Sequence, residues 1–136
     1  YIPIGNVSKK LQNWKKQGAK ICYLSALTVS KNARENEKIS KNNMFKSDKL
    51  VLEKNNFPRG KIYHRKINET YKDVIERITP FPDIMIEDDC ESIGGKTEMA
   101  HPNLKPEIMA KIKSIVVKEF EGINHLPDKV TELMNY

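Results

Sequence analysis

The feature that most constrains this chain is an alternation of short apolar runs with longer amphipathic stretches. The runs are Ala19-Lys20-Ile21-Cys22-Tyr23-Leu24, Lys61-Ile62-Tyr63-His64, Asp83-Ile84-Met85-Ile86-Glu87 and Ser114-Ile115-Val116-Val117. The first is a short apolar run with the pattern of a buried parallel strand, and the others are further strand candidates. Between them lie helical patterns. Val7, Leu11 and Trp14 recur at i, i+4 and i+7 ahead of Gly18, with Asn6 or Ser8 available as cap. Thr70 stands three residues before Asp73, a capping-box start for a helix presenting Val74, Ile75 and Ile78 and ended by Pro80 and Pro82. A helical signal at Leu50-Val51-Leu52 breaks at Asn55 to Gly60, a further helix is predicted from Lys105 to Lys113, and Leu126-Pro127-Asp128 opens a last one containing Val130, Leu133 and Met134. Strand and helix alternating in this way predict an α/β fold, a Rossmann-like parallel sheet with helices on both faces.

At 136 residues, with no internal repeat and no linker, residues 1–136 read as a single domain. Residues 29–44 are polar and weakly periodic: a helix, a plain loop or, less simply, a small lid. No stretch reaches the roughly 18 apolar residues of a membrane span, and the first residues have no signal-peptide pattern. Two cysteines, Cys22 and Cys90, make no disulfide framework and show no metal-ligand spacing, nor do His64, His101 and His125. The expectation is a cytoplasmic protein without zinc and without membrane attachment. Neither a P-loop nor a dinucleotide-binding glycine pattern is present.

The net charge of +6 is uneven: residues 1–66 hold 16 Lys+Arg against 4 Asp+Glu, a balance of +12, which leaves −6 for residues 67–136. The basic half could attract nucleic acid electrostatically. Its lysines, Lys9, Lys10, Lys15 and Lys16 among them, are scattered with little aromatic interleaving, as on solvated helix faces. Nucleic-acid binding is therefore a reading to keep but not the favoured one.

Ligands of an open parallel sheet gather beyond the carboxyl ends of its strands. Those ends offer Ser25, then Lys66 to Lys72, then Asp88 and Asp89. A hydroxyl, an ammonium and a carboxylate pair suit a metal-assisted phosphate site, because the hydroxyl donates to phosphate oxygen, the ammonium balances its charge and hard oxygens hold magnesium. Lys72, at the second position of a helix capped by Thr70, opposes the helix dipole unless an anion sits nearby. Lys66 is its competitor.

Gly18 to Thr28, a strand ending in Ser25, resembles the second motif of the haloacid dehalogenase-like (HAD-like) superfamily. Asn56-Phe57-Pro58-Arg59-Gly60 followed by a strand and Tyr71-Lys72-Asp73-Val74-Ile75 is similar to its third, and Pro82 to Asp89 to its fourth. Gly122-Ile123-Asn124-His125-Leu126-Pro127 is a weaker marker. The resemblance spans nearly the whole chain in order. It implies that Ser25 binds a transferred phosphoryl group, that Lys72 neutralises it, that Asp88 and Asp89 help coordinate Mg2+, and that the substrate is a small phosphorylated molecule. Family members attack phosphate with the first aspartate of a D-x-D motif at the end of a central first strand, and these 136 residues contain no D-x-D. The expectations are therefore a magnesium-dependent phosphohydrolase whose nucleophile-bearing strand lies upstream of Tyr1, or a catalytically silent HAD-like domain that binds a partner through its basic half.

Overall fold

Strands form in all four apolar runs, and among the described residues they pair in twos. A computed structural model of the protein describes residues 5–29 and 49–136, with side chains at all of these except 26–29. The order is α1 (Val7–Lys16), β1 (Tyr23–Val29), a helical segment α2 over 49–54, β2 (Ile62–Lys66), α3 (Tyr71–Glu76) and β3 (Ile84–Asp88). Three short 3-10 turns between Glu91 and Asn103 follow, then α4 (Pro106–Met109), β4 (Lys113–Val117) and α5 (Val130–Met134). The stretch 29–44 falls outside the described residues from 30 onward.

The protein is of mixed α/β class, and both described sheets are parallel. β1 pairs with β2 from Tyr23↔Ile62 to Val29↔Lys66, with a register shift between Ser25 and Thr28. β3 pairs with β4 from Ile84↔Lys113 to Asp88↔Val117 without interruption. Among the described residues no ladder joins the two pairs.

Both faces are covered, as parallel strands require. Met85 joins Val74, Ile75 and Ile78 in one apolar cluster, while its neighbours Ile84 and Ile86 pack against a second cluster formed by Trp14, Ile115, Val117 and Leu126. Strand pleating sends alternate residues to opposite faces, so β3 is the divider between two cores. Trp14 is 2% exposed and its indole N–H donates to the Pro127 carbonyl at 3.0 Å.

Three boundaries differ from the sequence expectation. β1 begins at Tyr23 rather than Ala19, because the chain first runs past the loop before β2. Gly60 lies so close to the Ile21 carbonyl that a Cβ on it would stand 2.0 Å from that oxygen, and the ladder starts only where the Tyr23 N–H reaches Lys61 O at 2.9 Å. Ser25 therefore sits within the strand instead of after it. The helix predicted over Lys105 to Lys113 stops at Met109, since Ile112 is buried in the first cluster and the Lys113 N–H already donates to Asp83 O at 2.9 Å. Likewise α3 ends at Glu76, and Ile78 is buried from beyond the helix.

The weak marker Gly122 to Pro127 forms the seat of α1. The Asn6 N–H donates to Asn124 Oδ1 at 3.1 Å, in place of a side-chain cap from Asn6 itself. Lys10, expected among solvated lysines, is instead 9% exposed: its ammonium donates to the carbonyls of Leu126 and of Asn124 (3.0 Å) and pairs with Asp128 at 3.0 Å. A buried ammonium persists only when paired and hydrogen-bonded, and the turn at 124–128 supplies both.

Candidate functional site

A cavity of about 490 Å³ opens between β1 and β3. Leu24, Tyr63, Ile75, Ile84, Met85 and Ile86 form its apolar wall, and Glu87, Asp88, Glu98 and Glu119 an acidic rim. The rim includes the carboxyl end of β3.

That end is built by local turns. Asp88 Oδ1 accepts the Cys90 N–H at 2.9 Å and lies 3.1 Å from Cys90 Sγ, while Asp89 Oδ1 accepts the Glu91 N–H at 3.2 Å. Carboxylates bonding backbone two residues on are a common turn device of Asp, and Cys90 enters the turn with φ 50, a left-handed value. The Asp89 N–H extends the β3–β4 ladder to Val117 O at 3.0 Å. Burial, the Asp88 hydrogen bond and the surrounding carboxylates push the Cys90 thiol up to about 12.

Glu87, which the motif reading passed over, has the more specific surroundings. It is half-buried, and its carboxylate accepts N–H groups from Ala100 at 3.0 Å and His101 at 3.2 Å. Burial raises its pKa above the ordinary carboxylate range, and the two N–H bonds offset part of that rise. A sequence signal existed only as an acid inside an apolar strand. On the same rim, Ser92 Oγ donates to Glu119 at 2.6 Å and ties the turn after β3 to the loop after β4.

Of the four residues singled out in the sequence, Asp88 alone lies on the cavity wall. Asp89 is the next residue along. Ser25 faces His64 across the β1–β2 ladder, and Lys72 occupies the second position of α3. The charge conflict expected of Lys72 is answered within its own helix. Asp73 accepts the Thr70 N–H at 2.8 Å and the Thr70 hydroxyl at 3.0 Å, which together with nearby Lys72 hold its carboxyl below the usual range. The competitor Lys66 is exposed, and its N–H donates to Glu69 Oε1 at 2.7 Å.

Among the described residues no three His, Cys, Asp or Glu side chains converge on one point. The donors at the end of β3 are nevertheless of the class magnesium takes: hard carboxylate oxygens, with Oδ1 of each aspartate accepting a backbone N–H. Magnesium commonly binds one or two carboxylates and completes its shell with water and substrate phosphate; by donor type alone Asp88 and Asp89 would suit it, with only Asp88 on the cavity. No family model, curated protein or solved structure matches the chain.

Proposed function

We propose that the protein is a magnesium-dependent phosphohydrolase of the HAD-like type, with a Rossmann-like sheet, acting on a small phosphorylated substrate. The observation that supports this best is the position of Asp88: a carboxylate at the carboxyl end of a parallel strand, on the rim of a cavity between two parallel pairs. In this reading Asp88 and Asp89 hold Mg2+, which when bound draws charge from the phosphoryl oxygens. The Ser25 hydroxyl donates to a phosphoryl oxygen and Lys72 balances its charge. These last two roles rest on the motif resemblance, as does the nucleophilic aspartate, for which these 136 residues contain no D-x-D. The rival reading is a catalytically silent domain that binds a partner or nucleic acid through its basic half, of whose cations Lys10 is withdrawn from the surface.

The test is magnesium-dependent phosphate release from p-nitrophenyl phosphate by the protein in its natural full length, beside calorimetric Mg2+ binding. Asp88→Asn should abolish turnover and weaken Mg2+ binding while leaving circular dichroism unchanged. Wild-type protein that neither binds Mg2+ nor releases phosphate sinks the proposal.

A further inference from the structure

The outer edge of β4 carries none of the devices that keep sheet edges apart. In a parallel ladder, alternate residues turn their N–H and C=O groups to the same neighbour. The Lys113 N–H donates to Asp83 O, and Val117 O accepts from Asp89, so Lys113, Ile115 and Val117 address β3. The backbones of Ser114 and Val116 therefore face away from β3, and among the described residues no strand pairs with them. Sheet edges are normally blunted by charged side chains, proline or bulges. Ser114-Ile115-Val116-Val117 has no charge and no proline, and its ladder to β3 runs without interruption. The ammonium of the adjacent Lys113 is turned to the Tyr136 carbonyl at 2.7 Å. Val116 is 48% exposed, although Ile115 and Val117 on either side of it are buried.

Such an edge accepts a strand, and its own sequence is a matching one. We propose that β4 pairs antiparallel with β4 of a second copy of this chain, about a two-fold axis at Val116, joining two β3–β4 pairs into one continuous four-stranded sheet. A two-fold interface sets the same patch against itself. Only outward-facing residues can exchange backbone bonds, which restricts the possible registers to steps of two. With Val116 opposite Val116, Ile115 lies opposite Val117 and Lys113 opposite Glu119, so apolar meets apolar and cation meets anion. Moving the axis to Ile115 sets Lys113 against Val117, and moving it to Val117 sets Ile115 against Glu119. Neither alternative matches as well.

The two ends of the strand agree with this register. Phe120, just past β4, is 80% exposed and held at φ 63, a left-handed value unusual for a bulky residue. Tyr136, likewise exposed, is tied to the opposite end of β4 through the Lys113 bond. Antiparallel pairing brings the carboxyl end of each β4 to the amino end of the other, so Phe120 of each copy approaches Tyr136 of the second. Two exposed aromatic rings that belong to neither apolar cluster thereby gain cover. The paired edge is short against the roughly 800 Å² per partner of a standard interface, so a Kd of about 0.1 mM is expected. This inference does not rest on the phosphohydrolase reading, and none of its tests reads activity.

Sedimentation equilibrium of the protein from about 10 μM to about 1 mM should show a monomer–dimer equilibrium. Over the same range the Ser114 and Val116 amides should come to exchange about fourfold more slowly, while those of Ile115 and Val117 do not change. Val116→Lys sets like charges against each other at the axis and should leave a monomer throughout, with circular dichroism unchanged because the site is exposed. Cross-linking reads the register in a Cys22→Ser, Cys90→Ser background. Val116→Cys should form an intermolecular disulfide in a glutathione buffer, since opposed residues of a bonded antiparallel pair stand about 5.5 Å apart at Cα, within disulfide reach. Ser114→Cys, which would lie opposite Lys118 of the second copy, should not. A monomer at about 1 mM, a dimer that survives Val116→Lys, or equal cross-linking of the two cysteine variants overturns the proposal.

Discussion

Lys10 and Asp128 meet at 3.0 Å across almost the whole length of the chain, yet the two partners are unequal: the lysine side chain is 8% exposed and the aspartate 79%. What holds α1 to the turn before α5 is therefore less the ion pair than the bonds from the ammonium to the carbonyls of Asn124 and Leu126. Exposed carboxylates contribute little through pairing, whereas a buried carbonyl stripped of its donor costs its full desolvation. Lys10→Met should lower unfolding stability by about 2 to 3 kcal/mol and Asp128→Asn by under about 1 kcal/mol. Urea denaturation of both variants checks the asymmetry; equal losses would mean the ion pair dominates.

The first turn of α3 depends on Asp73. Its pKa is lowered chiefly by the Thr70 N–H, so its contribution is present above the ordinary aspartate value and is lost as pH falls through the lowered one. Asp73→Asn should cost about 1 kcal/mol at neutral pH, a typical value for a lost cap, and the difference from wild type should shrink in acid. A gap that stays constant from pH 7 down to unfolding would contradict the charge-based account.

Glu87 carries the opposite sign. Because burial raises its folded pKa, its contribution to stability is fully present below the ordinary glutamate value and is lost as pH rises through the raised one. Glu87→Gln removes that loss while keeping an oxygen to accept an N–H from Ala100 or His101. Between about pH 4 and pH 7, the denaturation midpoint of wild type should therefore fall relative to the variant. Parallel midpoint curves for the two proteins would refute the assignment.

The Cys90 thiol, raised to about 12, should be nearly inert. At pH 8 its thiolate fraction is lower than that of an unperturbed thiol by roughly a thousand-fold, and alkylation by iodoacetamide in a Cys22→Ser background should slow accordingly. Asp88→Asn, which removes a carboxylate 3.1 Å from Sγ, should accelerate it. Acceleration would locate the Asp88 charge at the thiol independently of any enzymatic activity.

Val74, at 0% exposure, tests the core on one face of the sheet. Val74→Ala removes two methyl groups from a site with no solvent to refill it, and should cost about 2 kcal/mol in chemical denaturation. A loss under about 0.5 kcal/mol would mean that the cluster around α3 closes over the gap.

Local pattern was enough to determine the α/β class, the burial of Trp14, the Thr70–Asp73 start of α3 and the arrival of Asp88 and Asp89 at the end of an apolar strand, because each depends on neighbours within a few residues. Periodicity records which side chains must leave water; it carries no information on which strand edges meet. Ladder pairing is decided by distant chain, and so tertiary structure alone put Ser25 inside β1, split four strands into two pairs and lined the gap between them. The same holds for charge. Lys10 and Glu87 look like ordinary polar residues among many, and only the turn at 124–128 and the Ala100–His101 backbone, more than a hundred and about a dozen residues away, give one a buried set of acceptors and the other a pair of donors.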